Sequence, residues 1–490
     1  MQDLLFGENV GRRVFVKGLG FISMAFVMGM FGGCESIIDA INNRPIRRRL
    51  RTGTAEVDAD IATYRQAVAL MKQLDNDNPT DKRSWKNQAA IHGSTAGFNL
   101  CEHDSSDDPA DTAKIQFFTW HRAYVFYFEK ICQELTGNKK FGLPYWNWNQ
   151  TSSIHPAFLD TSSPLFMSRK RTSIPGWAAP NFSNQTMDII FSDANFFTFS
   201  KQLEGAPHNS LHGVIGQTMG SGASPLDPIF WAHHNMVDYC WAKWNFELEN
   251  NIPNDPAWRD VSWDYFVDGK NNPVTITAGT TGLMPLLSYR FESSTIGTST
   301  AALGDLTQRE FERLEKRIKE GADIRFDVKK RIRIAERAPV TGLRPFSSKL
   351  NVSTDDFATL INTDFANEKV FASLHFATAP EITDFFVRVF LNLPDANINT
   401  PVEDPHYAGS FAFFGKHAHP AEHQSHGPNF LVNVSETLRR LKQRGDSPGS
   451  EPLSVQLVPV PYSEKMEDRA GEIVLEKVDL LVTPVIAKTG

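Results

Sequence analysis

Apolar residues along this chain keep a helical period up to Leu248 and alternate like strands after Val340. In IATYRQAVALMKQL, Ile61, Tyr64, Val68 and Met71 recur at spacings of three and four, which predicts an amphipathic helix that NDNPTDKRS then breaks. WKNQAAIHG opens another helical stretch. KIQFFTWHRAYVFYFEKICQEL is apolar and aromatic around most of its circumference, which predicts a long buried helix. FSKQLEGAPHNSLHGVIG and PIFWAHHNMVDYCWAKWNFEL read as a second helical group, and LPYWNWNQ as a turn between the two. Beyond Asn251 the segments NIPNDPAW, NNPVTITAGTTG and SSTIGTSTAALG read as linker and loop, and FERLEKRIKEGADIRFDVKKRIRIAERA as a charged segment with a short solvent-facing helix. Alternation in EITDFFVRVFLNL, SFAFFG, NFLVNVS, PLSVQLVPV and EIVLEKVDLLVTPV predicts strands, whose number and spacing point to a β-sandwich-like second domain. The expected class is mainly α, with a β-rich C-terminal domain.

The N-terminus reads as an address rather than as fold. Arg12-Arg13-Val14-Phe15-Val16-Lys17 precedes an apolar run from Gly18 to Gly33, the pattern of a twin-arginine export signal. The run is short and glycine-rich for a permanent membrane span. Cys34 directly after it is a candidate lipid-attachment site. The expected organisation is a signal segment over 1–34, a linker over 35–56 that contains the basic RPIRRRLR, a metal domain over 57–300, a connecting segment over 301–339 and a β-rich domain over 340–490. The expected location is periplasmic or extracellular. A net charge of -7 without a long basic stripe gives no reason to expect nucleic acid as a partner. Four cysteines are too few for a disulfide framework, and Cys132 and Cys240 fall inside helical patterns as core residues.

Histidines carry the chemistry. His208 and His212 stand four apart, so they share a helix face and can converge on one metal, with His234 arriving from a neighbouring helix. His92, His103 and His121 form a second set upstream. Two groups of three argue for a paired metal site. Imidazole suits copper, zinc, iron and nickel. The absence of nearby carboxylate ligands disfavours a carboxylate-bridged di-iron centre. Three neutral ligands per metal stabilise Cu(I), and an adjacent pair can reduce dioxygen by two electrons, which makes two copper ions the physical choice.

QAAIHG, CEH, FFTWHRAY, LPYWNWN, EGAPHNSLHG and DPIFWAHHNMVDYCW, in that order over residues 85–245, resemble the tyrosinase, catechol oxidase and molluscan haemocyanin family of coupled dicopper proteins. The resemblance implies a central four-helix bundle in which His92, His103 and His121 hold copper A and His208, His212 and His234 hold copper B, with His233 as a supporting neighbour. It places Cys101 where some members join a cysteine to a ligand histidine, here His103, by a thioether. It gives Glu204 and Asn209 the role of orienting a water that deprotonates a bound phenol, and it puts Ser221 and Gly222 at the position of a gate. Trp120, Trp146, Trp148 and Trp231 read as an aromatic wall, and Arg122 and Asp238 as structural partners. DSSDDPADTAKIQFFTW between His103 and His121 is longer than the family spacing, and its acidic part reads as a surface insertion.

HYAGSFAFFGKHAHP resembles the β-rich domain that follows the copper domain in haemocyanins and in longer plant and fungal enzymes, where an aromatic side chain can plug the site. Phe411, Phe413 and Phe414 are the candidate plugs, at least two of them expected in the β core. His417, His419, His423 and His426 read as a polar surface loop. The implied activity is oxidation of phenols and o-diphenols to o-quinones with dioxygen, catechol oxidation being expected and monophenol hydroxylation left open. Haemocyanin-like dioxygen carriage, or a vestigial extracytoplasmic interaction module, are the alternatives.

Overall fold

A computed structural model describes residues 44–104, 111–282, 284–292, 328–335, 338–340, 345–349, 360, 362–380, 383–414, 427–445, 453–462 and 473–485. The signal segment with Cys34, the acidic residues 105–110 and the histidines at 417, 419, 423 and 426 lie outside them.

Helices form where the periodicity places them. Ala55–Asp77 buries Val57, Ile61, Tyr64, Val68 and Met71 along one stripe. Trp85–His92 is capped by the Ser84 hydroxyl, which accepts from the Asn87 N–H. Phe117–Thr136 is buried without a break from Phe117 to Glu129, and Pro228–Ala242 is buried at every residue. These two helices meet through Trp231, which stacks on Phe128 at 3.6 Å and packs against Tyr124 at 4.6 Å. Such pairs add about 0.5–1.5 kcal/mol each beyond area burial. Asp227 starts the second helix by accepting from the Ile229 N–H, Pro228 takes a position that needs no donor, and Arg169 grips the same carboxylate through Nε and Nη2.

The basic run predicted as linker is part of the core. Ile46–Arg47 pairs in parallel with Arg290–Phe291. The Arg47 side chain is fully buried, donating to Glu129 at 2.8 Å, Asp238 at 2.7 Å and Asn235 Oδ1 at 2.9 Å. Arg122 takes the other oxygen of Asp238 and lies 3.4 Å over the Trp241 ring. The segment predicted as loop after Asn251 also contributes structure. Trp258 is fully buried, and Ser262–Val267 pairs with Pro273–Thr277.

The C-terminal region holds two antiparallel sheets. One runs Asn429–Asn433, Glu368–Phe376, Ile473–Pro484, Lys330–Ala335, with Ala338–Val340 also paired to Ile473–Pro484. The other runs Tyr407–Ala412, Phe385–Leu391, Ser454–Pro461, Phe346–Lys349. Lys330–Ala335, at the end of the expected connecting segment over 301–339, is thus a strand of the first of these sheets, and Ile332 turns inward to the C-terminal core; residues 311–327 of the expected charged helix lie outside the described residues.

Strand parity explains how this region meets the helices. Phe385, Val387, Val389 and Leu391 pack in the core between the sheets, while Phe386 joins the helical core and Arg388 Nη2 donates to the Trp177 carbonyl. The strand is buried on both faces, which is why its solvent face is missing. Gly213 lies against the Tyr462 ring so closely that a Cβ there would fall 2.2 Å from it.

Candidate metal centre

Four helical segments deliver the histidines: Trp85–His92, Phe117–Thr136, the π turn Glu204–His208 running into Asn209–Ile215, and Pro228–Ala242. His92, His121, His208, His212, His233 and His234 are all buried.

Partners of the ring nitrogens settle the tautomers. His92 Nδ1 meets the Gly222 carbonyl at 2.8 Å, His121 Nδ1 the Phe117 carbonyl at 2.8 Å, and His212 Nδ1 the Met219 carbonyl at 2.7 Å. Carbonyl oxygens only accept, so each Nδ1 carries the proton and each Nε2 presents a lone pair. His208 Nδ1 is held by Asn209 Oδ1 at 2.9 Å to the same effect. Burial pushes the His92 imidazole down to about 3, and burial first, then neighbouring histidines, holds His121, His208, His212 and His234 well below the usual range. They are neutral, as ligands must be.

The second predicted set is brought together tightly. His208 Nε2, His212 Nε2 and His234 Nε2 lie 3.2–3.4 Å from one another. A first-row metal–imidazole bond of about 2.0–2.1 Å at tetrahedral angles separates its nitrogens by about 3.3 Å. The lone pairs on His208 and His212 repel at this spacing unless a cation lies between them. The donor set therefore fits a metal ion.

The first set includes a sulfur atom beside its imidazoles. His92, Cys101 and His121 form the group whose donor atoms lie within 4.8 Å of one another. His92 Nε2 is a buried nitrogen with no hydrogen-bond partner among the described residues, the mark of a lone pair kept for a ligand. His103 joins through sulfur: Cys101 Sγ lies 3.4 Å from His103 Nε2 and 3.4 Å from His121 Nε2. Burial pushes the Cys101 thiol well above its usual range.

Glu204 and Asn209 take places the sequence reading did not assign. Glu204 Oε1 accepts from His103 Nδ1 at 2.7 Å and Oε2 from the Asp104 N–H at 3.0 Å. Asn209 Nδ2 donates to the Ala412 carbonyl at 3.0 Å. Both groups thus have protein partners, Glu204 in the His103 loop and Asn209 in the C-terminal region. Burial pushes the Glu204 carboxyl up to about 7. Asp104, which the sequence reading passed over, accepts from the Phe117 N–H and so ties the His103 loop to the start of the His121 helix. Thirteen residues separate the two, and no local pattern reveals the link.

Gly222, one of the two candidate gate residues, packs against the first histidine set. That residue is buried, its carbonyl orients His92, and a Cβ on it would fall 2.3 Å from the Gly97 carbonyl. Ser221, half-buried, turns its hydroxyl to the Thr218 carbonyl. Of the three candidate plugs only Phe414 reaches the site. Its ring stacks on His212 at 4.0 Å and lies 5.9 Å from His208 and 5.2 Å from Phe98. Phe411 and Phe413 point the other way, into the core between the sheets. The indoles of Trp120, Trp146 and Trp231 donate to Tyr265, Thr151 and Pro225 and line the helical core as predicted.

Residues 82–180 and 159–247 match the common central domain of tyrosinase, and residues 333–481 match a domain of unknown function (DUF7868). A tyrosinase from Hahella sp. (strain CCB-MM4) is 26% identical over 483 residues, covering 86% of this chain and 97% of that protein. A chloroplastic polyphenol oxidase from Malus domestica is 30% identical over 258 residues, 42% of each chain. Against that plant enzyme the match thus spans less than half of either length. Among solved structures, a latent aurone synthase (polyphenol oxidase) aligns over 91% of this chain and 90% of its own at a TM-score of 0.61 and 21% identity. A latent apple tyrosinase aligns over 90% and 97% at 0.60 and 19%. At these identities the likeness is one of fold.

Proposed function

The chain belongs to the tyrosinase and polyphenol oxidase family, and from that premise we propose that it is an oxidoreductase converting phenolic compounds to o-quinones with dioxygen and two copper ions. Reversible dioxygen carriage is not favoured, since the relatives named above are tyrosinases and polyphenol oxidases. The observation that carries the reading is the convergence of three Nε2 lone-pair positions at His208, His212 and His234, beside a second set whose His92 Nε2 has no hydrogen-bond partner among the described residues. We assign copper B to His208, His212 and His234, and copper A to His92, His103 and His121. The helices are read as the family's four-helix bundle and the paired sheets as its β-sandwich.

Bound copper supplies the two-electron chemistry toward dioxygen. The protein's part is positional. Backbone carbonyls at Phe117, Met219 and Gly222 aim three imidazoles, and burial keeps them neutral. Glu204 serves as a positioning residue for His103 through Nδ1. We infer that oxidation of o-diphenols is the leading activity. With Glu204 committed to His103 and Asn209 to Ala412, deprotonation of a monophenol requires Asn209 to be released from the C-terminal domain first. The 3.4 Å approach of Cys101 Sγ to the His103 ring supports a thioether between them in the mature enzyme. Intact mass reads that bond as a deficit of two hydrogens relative to the sequence.

Phe414 is proposed to keep the enzyme latent, since it lies flat on the ring of a copper B ligand and occupies the approach a substrate ring would take. A stacked contact of this kind is worth about 0.5–1.5 kcal/mol. Phe414→Ala in the copper-loaded full chain is therefore expected to raise catechol oxidation by up to about tenfold, monophenol oxidation remaining the slower of the two. Absence of quinone from either substrate, with both coppers bound, would sink the oxidase reading. Cellular location is a further part of the proposal: the twin-arginine-like Arg12–Lys17 segment supports export, which cell fractionation tests. No helix among the described residues is long and apolar enough to cross a membrane.

A further inference from the structure

His233 is a fourth imidazole at the copper B cluster. A ring nitrogen of His233 lies within 4.8 Å of those of His208, His212 and His234. Its ring stacks on His208 at 5.2 Å and 17°, and stands 5.0 Å from each of His212 and His234. By proximity alone it could complete a four-imidazole shell, and a closed shell is the arrangement of a structural metal site rather than a reactive one.

The Trp148 indole decides otherwise. Trp148 Nε1 donates to His233 Nδ1 at 3.2 Å. An indole N–H is a donor only, so Nδ1 must be the acceptor and the single proton of the neutral ring must sit on Nε2. Both nitrogens are then unavailable as ligands, one because its lone pair receives the indole N–H and the other because it carries hydrogen. His233 Nε2 has no hydrogen-bond partner among the described residues. Burying that N–H without an acceptor is unfavourable, a cost that an apolar residue of the same shape would avoid.

Resting on the copper assignment above, we propose that Trp148 is a positioning residue that locks His233 in a non-ligating tautomer, so that copper B is held by three imidazoles and keeps an open coordination position. His233 then acts through its flat face, as a wall that fixes the plane of His208. Without the indole donor the ring is free to move its proton to Nδ1 and offer Nε2 to the metal.

The test uses the full chain loaded with Co(II), whose visible ligand-field bands report coordination number, with metal retention against a chelator measured in parallel. His233→Phe is expected to leave both wild-type bands and two metals per chain in place, because His233 is not a ligand. Trp148→Phe is expected to shift the bands, as a fourth imidazole replaces solvent in the open position, and to slow loss of one metal by about tenfold. A merely structural role for Trp148 would speed metal loss instead. The double variant Trp148→Phe/His233→Phe is expected to regain the wild-type spectrum. Altered bands in His233→Phe alone, or unaltered bands in a folded Trp148→Phe, overturn the inference while leaving the copper assignment standing. A wild-type chain that binds no metal overturns both.

Discussion

Arg47→Met is expected to destabilise the helical domain by about 3–5 kcal/mol, the range for removing one partner of a buried ion pair. Arg47 has no exposed side-chain surface and satisfies two carboxylates at once, Glu129 and Asp238. Burial works against its charge, yet Glu129, Tyr289 and Asp238 together hold the guanidinium above its ordinary range. After substitution Asp238 keeps Arg122 and the Tyr289 hydroxyl, whereas Glu129 keeps the Leu143 N–H. The cost therefore falls mostly on a buried carboxylate left short of donors. Because the described residues form more than one hydrophobic core, with separate large clusters in the helical and C-terminal regions, the change is read as a shift in the denaturant midpoint of the tryptophan signal rather than as one global free energy. Adding Glu129→Gln should return part of the loss. An unchanged midpoint in Arg47→Met would show that the basic segment is not a strut.

Glu204→Gln is expected to weaken copper retention about 10–100-fold, the cost of disturbing a group that orients a metal ligand. One carboxylate oxygen accepts from His103 and the other from the Asp104 N–H. Glutamine offers one acceptor and one donor, so either His103 Nδ1–H or the Asp104 N–H must face an NH₂ group. Loss of the anion also lowers the basicity that Nδ1–H···O hydrogen bonding confers on Nε2. Dialysis against a chelator followed by metal analysis is expected to leave one copper per chain, with copper B retained. Two coppers held as firmly as in the wild type would return Glu204 to the water-orienting role read from sequence.

What the sequence disclosed and what it concealed divide along the range of the interactions involved. His208 and His212 were legible because helical spacing alone puts them on one face, and the buried Phe117–Thr136 helix was legible because its aromatics surround it. Arg47 was not, since its partners stand 82 and 191 residues away and nothing in RPIRRRLR marks one arginine as buried. Lys330–Ala335 was concealed by its charges: Lys330, Arg331 and Arg333 make the segment read locally as solvated, and only pairing with Ile473–Pro484 gives it a place. Glu204 lay within the right motif, but its partner His103 comes from another segment. Gly222 was read as an open mouth because a small residue suggests space; here smallness permits two backbones to touch and a carbonyl to reach His92.

Phe413 and Phe414 are adjacent and chemically identical, yet one is filler between two sheets and the other rests on a ligand ring. They follow directly on the Tyr407–Ala412 strand, and only their adjacent positions, turned to opposite sides, separate them. The cover over this site is thus specified by counting rather than by composition. Inserting one residue between Ala412 and Phe413 would be expected to carry Phe413 into the place of Phe414 without changing any aromatic side chain, so that a change of length there would alter the cover as directly as a substitution.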